Sequence, residues 1–151
     1  MPEFRQYRRR LPHWRLRGGI YFVTWRLERG VRELDGAERD EVLASLRHFN
    51  GVRYALYACV VMNDHVHALV QPLEGYELED ILRSWKGFTA RRLQRHGRAG
   101  RIWQPEYWDR LIRDEDEFLG AMRYVAGNPF ARWQGIESYP WMWITPPSGT
   151  G

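Results

Sequence analysis

The sequence predicts an α+β domain: an antiparallel sheet with helices and one further helix near the C-terminus. Three observations predict it. Runs of β-branched and aromatic residues mark four strands. Three other stretches carry their apolar residues at helical spacing. The segments follow one another as β-α-β-β-α-β-α, and the first six form the split β-α-β arrangement of a ferredoxin-like sandwich. The 151 residues suffice for one domain with a proper core. We expect a single domain over 1–151, with a basic segment at 1–18 and a tail at 134–151.

The elements come in order. Residues 1–18 are basic and irregular, with Arg8, Arg9, Arg10, Arg15 and Arg17. Gly18-Gly19 opens the first strand, residues 20–27. Asp35-Gly36 breaks the chain before a helix over about 37–49, whose apolar positions are Val42, Leu43, Leu46 and Phe49. Gly51 ends it. Residues 54–62 are apolar almost throughout and predict a central strand. Asn63-Asp64 is turn-like, and a third strand runs from His65 to Gln71. The second helix spans about 77–95, and His96 to Arg101 reads as a flexible basic loop. Tyr107 to Arg113 predicts the fourth strand. Asp114 is a candidate N-cap, with Glu115, Asp116 and Glu117 set against the helix dipole. This third helix is expected to stop near Gly127, because Asn128 precedes Pro129. The tail, with Trp141 and Trp143, is expected to pack first and fray from Ser148 onward.

Bulk composition narrows the function. No apolar run reaches the roughly 18 residues of a membrane helix, and the start lacks a signal-peptide pattern, so a cytoplasmic protein is expected. The lone cysteine, Cys59, sits in an apolar run and reads as a buried hydrophobe. Basic residues number 23 against 19 acidic, and all but Lys86 are arginine. Arginine suits phosphate and base edges, although a GC-rich genome also raises its count. Aromatics make up 15% of the chain, a mixture that suits single-stranded nucleic acid.

The chemistry concentrates in His65-Val66-His67. Alternate strand residues share a face, so both imidazoles leave one side of the sheet and could share a divalent ion. Burying two imidazoles otherwise needs two partners. No cysteine cluster or further histidine favours zinc, whereas two histidines completed by oxygen ligands suit Mg²⁺ or Mn²⁺ on phosphate. A triple-histidine nucleotide hydrolase would need histidine at position 69, which is Leu69, and a two-motif phosphoesterase would need a second His-x-Thr/Ser. In the third helix Phe118, Ala121, Met122 and Val125 form the apolar stripe. Tyr124 flanks it by about 120°, with Asn128 and Glu117 on the same flank. Tyr124 is either an amphipathic residue at the core's edge or a nucleophile over a neighbouring site. The basic run of Arg91, Arg92, Arg95, Arg98 and Arg101 is either a solvated helix end or a phosphate contact.

These motifs resemble a known family. Residues 21–27, the histidine segment 61–70, Ser84-Trp85-Lys86-Gly87-Phe88-Thr89, Ile102 to Arg110 with Ile112-Arg113-Asp114, and Arg123-Tyr124-Val125-Ala126-Gly127-Asn128-Pro129 occur in order. Together they look like a REP-associated tyrosine transposase of the HUH nuclease superfamily, over about residues 12–133. The resemblance implies His65 and His67 as ligands of Mg²⁺ or Mn²⁺, with Asn128 as third ligand. It implies that Tyr124 attacks DNA phosphorus, leaving a 5′-phosphotyrosine and a free 3′-hydroxyl. The implied substrates are single-stranded DNA and REP-like hairpins, contacted by the N-terminal arginines, Lys86 and the 91–101 arginines. Monomer and homodimer are both compatible. The family often has proline before the histidines, where this chain has Asn63.

Overall fold

The computed structural model describes residues 19–146. The basic segment 1–18 and the end of the tail lie outside the described residues. The strands are β1 (Ile20–Arg26), β2 (Tyr54–Val61), β3 (His65–Pro72), β4 (Trp108–Ile112) and β5 (Met142–Ile144). The helices are α1 (Gly36–His48), α2 (Leu78–Arg95) and α3 (Glu115–Arg132). The sheet is antiparallel in the order β4-β1-β3-β2-β5. Its first four strands have the ferredoxin-like order that the sequence predicts. No described helix is long and apolar enough to cross a membrane.

Two apolar cores form, one on each face. On the first face α1 and α2 bury Val42, Leu46, Leu82 and Trp85 against Val23, Trp25, Cys59, Val66, Ala68 and Val70. Trp25 stacks on Trp85 and meets Trp103 edge-on. The polar edges of Trp85 and Trp103 are satisfied inside the core, whereas Trp25 Nε1 is buried without a partner. Trp85 Nε1 donates to the Tyr54 hydroxyl (3.0 Å), which donates to the Leu46 carbonyl (2.6 Å), and Trp103 Nε1 donates to Thr89 (2.9 Å). On the second face α3 lays Phe118, Met122 and Val125 over Ala58, Val60 and Leu69. Strand periodicity explains the split, since neighbouring residues of β3 face opposite cores.

Several details depart from the sequence expectation. The 54–62 run is interior only because β5 covers its outer edge; without that short strand β2 would be an edge. β2 also carries a bulge between Leu56 and Ala58, so that Tyr57 and Ala58 both turn toward α3. Asp35 is more than a chain break. It caps α1, accepting from Glu38 N while its own N–H donates to the Glu38 carboxylate, both at 2.9 Å.

The stop at Gly127 is wrong. α3 continues through Pro129 to Arg132. A proline inside a helix forfeits one hydrogen bond and costs about 3 kcal/mol. Here Pro129 is buried, and its carbonyl accepts from Trp133 N at 2.8 Å, so packing and the next turn offset the break. The tail packs as expected. Tyr139 stacks on Trp133 and donates to the Val61 carbonyl at 2.6 Å. Ser148 onward lies outside the described residues.

Candidate active site

β3 leaves the Asn63-Asp64 turn with His65 and His67 on the α3 face. That follows from alternation: Val66, Ala68 and Val70 belong to the α1/α2 core, and Leu69 to the α3 core. The rings lie 4.8 Å apart between centroids. Antiparallel pairing sets Thr24 of β1 opposite His67. Thr24 Oγ1 lies 2.7 Å from His67 Nδ1, and Phe22 stacks on the same imidazole at 5.3 Å. The Asp64 carboxylate accepts from His65 Nδ1 at 2.7 Å. That contact keeps the proton of His65 on Nδ1 and turns Nε2 outward as a lone pair.

Both imidazoles are held neutral. Burial, reinforced by His65 and the Arg26 charge, pushes His67 down to about 3. Burial lowers His65 as well; the Asp64 contact opposes it, and the cations Arg26 and Arg132 add to it. His67 is buried, and its Nε2 has no hydrogen-bond partner. A neutral imidazole pair, each ring oriented through Nδ1 and one presenting a buried unpaired Nε2, fits a divalent cation. Among the described residues no third His, Cys, Asp or Glu joins them. Further ligands would be neutral oxygens, and Asn128 is the candidate amide.

α3 brings the tyrosine to this pair. The Tyr124 ring meets His67 edge-on at 5.3 Å and Phe22 at 5.8 Å, while about half of the residue (53%) faces solvent. The stripe Phe118, Met122 and Val125 determines this aim. Packing those residues on the sheet rotates the flank of Tyr124 over β3, and the helix crosses its own chain's histidines. Asn128 follows one turn later on that flank and is half-buried. Glu117 does not join the site. It accepts from Arg113 through the backbone N (2.8 Å) and Nη2 (3.0 Å).

Comparison with known proteins decides the family. A family model described as transposase, IS200-like, matches residues 22–126. The chain belongs to the IS200-like transposase family. The matched span covers the histidine strand and the tyrosine helix as far as Ala126. Two solved structures share the fold. One, a REP-associated tyrosine transposase bound to a REP hairpin, is 19% identical with a TM-score of 0.66 over 91% of this chain and 92% of its own. The other, provisionally described as a transposase from Deinococcus radiodurans R1, is 21% identical with a TM-score of 0.53 over 71% of this chain and 88% of its own. No curated protein matches.

The basic residues expected to meet DNA fare less uniformly in this transposase. Arg8, Arg9, Arg10, Arg15 and Arg17 lie outside the described residues. Arg98 is engaged within the protein: its buried guanidinium pairs with Glu38 at 2.5 Å and donates to the Glu33 carbonyl at 2.9 Å. Burial alone would raise the Glu38 carboxyl, but the Arg98 and Asp35 hydrogen bonds and the Arg98 and Arg32 charges hold it at about 2. The 96–101 loop is accordingly pinned rather than flexible. Lys86 is engaged within the protein, its ammonium donating to the carbonyls of Gln104, Pro105 and Glu106 at 2.8–3.2 Å. Arg92 pairs with Glu41 and covers Phe88, Arg101 pairs with Glu28, and Arg91 lines the α1/α2 groove. None of these lies on the α3 face, whereas Arg95 is exposed at the end of α2.

The cations nearest the histidines are ones the sequence did not mark: Arg26 opposite His65 on β1, Arg132 at the end of α3, and Arg110 over the Phe22 ring at 5.8 Å. Thr24, Phe22 and Asp64 were missed as well. Asp64 adjoins the motif and was findable. The others enter through strand register, which no local pattern reveals.

Proposed function

We propose that this chain is a single-stranded DNA endonuclease and strand transferase with Tyr124 as nucleophile. One observation carries the reading: Tyr124 stands half-exposed against a buried, neutral His67 whose Nε2 is unpaired. A structural tyrosine at a core edge does not require such a neighbour.

The Tyr124 oxygen forms a bond to a DNA phosphorus, and the bond from that phosphorus to the 3′ oxygen breaks. The phenol proton ends on the departing 3′-hydroxyl, and the 5′ end stays on the protein as a phosphotyrosine. Reversal by another 3′-hydroxyl rejoins strands. His65, His67 and Asn128 would hold Mg²⁺ or Mn²⁺. Such an ion, when bound, offsets charge on the phosphate's non-bridging oxygen and orients the strand. Asp64 and Thr24 hold the two imidazoles in place. Arg26 and Arg132 favour a polyanion at this face, and neither has a carboxylate partner among the described residues. The relative bound to a REP hairpin makes REP-like hairpins the first substrates to try.

The test is incubation with labelled hairpin DNA and Mn²⁺, followed by a denaturing gel. A covalent adduct that disappears in Tyr124→Phe, with DNA binding retained, is expected. Cleavage surviving Tyr124→Phe would indicate water as nucleophile. Binding without cleavage under any metal would indicate a non-cleaving DNA-binding protein.

A further inference from the structure

β4 carries an exposed tryptophan that the proposed chemistry leaves unused. Trp108 is 52% exposed, in a strand whose next three residues are exposed too. It has no ring or hydrogen-bond partner among the described residues, although tryptophan usually finds one. Its position is not arbitrary. Thr24 pairs with His67 on one side and with Trp108 on the other. Directly paired residues project to one face. Trp108, Thr24 and His67 therefore form one row across three strands, on the face that α3 covers with Tyr124. Two strand spacings separate the ends of the row by about 10 Å. Two residues along β4, Arg110 lies on the same face, its guanidinium over Phe22, which in turn stacks on His67.

We infer that Trp108 is the stacking seat for an unpaired base of the DNA strand that crosses the Tyr124 site, with Arg110 beside it for the backbone. This rests on the single-stranded DNA reading above. The seat takes any base, because every base offers a π-face. Arg110 beside the seat, with Arg26 and Arg132 near His65, favours a polyanion on this face over an apolar partner. The competing occupant is a second copy of this chain added along the β4 edge. Trp108 projects from the sheet face toward the site, whereas an added strand would bond in the plane of the sheet.

The experiment uses the full chain with fluorescently labelled oligo(dT) and a wholly abasic strand of equal length, at fixed salt. Trp108→Ala is expected to weaken oligo(dT) binding by roughly 5- to 100-fold, the loss that follows from removing one base-stacking ring. Abasic binding should be unchanged, and Trp108→Phe should keep most of the affinity. Leu111→Ala, on the opposite face of the same strand, should change neither. Melting curves of each variant verify folding, and Trp108→Phe decides the matter if the alanine variant unfolds. Equal losses on both strands, no loss at all, or a dimer in light scattering that Trp108→Ala dissolves would each overturn the inference. Adduct formation on hairpin DNA by the wild type is scored separately. An adduct with unchanged oligo(dT) binding sinks only the seat, and a stacking loss without any adduct sinks only the nuclease reading.

Discussion

The two faces of the sheet are built to different rules. Under α1 and α2 the aromatic rings interlock and most polar edges find a partner, from Trp85 to Tyr54 to the Leu46 carbonyl; Trp25 Nε1 is the exception. Under α3 the apolar contact occupies only one side of the helix. Beyond it lie two imidazoles, a threonine, an exposed tyrosine and a buried nitrogen without a partner. The first arrangement uses burial and satisfied hydrogen bonds for stability. The second leaves a buried imidazole nitrogen without a partner beside a half-exposed tyrosine. One sheet serves both because alternation sends neighbouring residues of β3 to opposite faces.

Substitutions on the two faces should therefore separate stability from activity. The largest effect is expected from Tyr124→Phe, which removes the proposed nucleophile: adduct formation should fall by at least about a thousandfold on a denaturing gel. The melting temperature should scarcely move, because half of that side chain is in water. Trp85→Ala should do the reverse. It empties a buried site and removes the donor to the Tyr54 hydroxyl, costing about 3–5 kcal/mol in denaturant unfolding. Adduct yield per folded molecule should stay near wild type. A large activity loss in folded Trp85→Ala protein would mean that the two faces are coupled.

Acid should weaken the α1/α2 side first at Glu38. Its folded carboxyl sits near 2 against an ordinary 4.5, so its contribution is complete above about 4.5 and drains away as pH falls toward 2. Urea unfolding from pH 6 to 2 should show up to about 3 kcal/mol more loss in the wild type than in Glu38→Gln. Equal pH slopes would remove Glu38 and Arg98 as the anchor of the 96–101 loop. The smallest effect is the most diagnostic. His67→Leu exchanges a buried imidazole whose Nε2 is unpaired for an apolar side chain, and gives up the Thr24 contact of Nδ1, so stability should stay within about 1 kcal/mol of wild type while adduct formation is lost. A marked destabilisation would show that the histidine is structural.

Much of the fold was legible because its signals are local. The Asp114 cap, the apolar stripe of α3 and the β-rich runs lie within a few residues of what they control. Where short-range rules compete with packing, they mislead. Asn128-Pro129 reads as a stop, yet the buried proline stays helical. The three residues of β5 carry too little pattern to announce a strand, although they determine whether β2 is an edge. In the site, His65 and His67 are readable together from a two-residue spacing, and Tyr124 from its flank of the helix. Arginine density pointed instead to 91–101, where Arg98 is consumed by Glu38 and Arg101 by Glu28.

By itself, then, the sequence determined the order of the elements, the shared face of the two histidines and the flank on which Tyr124 rides. Each of these depends on the period of one helix or strand. Only the tertiary structure decided that Thr24 buttresses His67, that Tyr124 closes over the same ring, and that Arg26, Arg110 and Arg132 are the cations near the site. Those facts depend on strand register and helix docking, which bring together residues separated by 43 positions in the case of Thr24 and His67. Contacts at that range are chosen by the packing of the whole domain, and no window of the chain contains them.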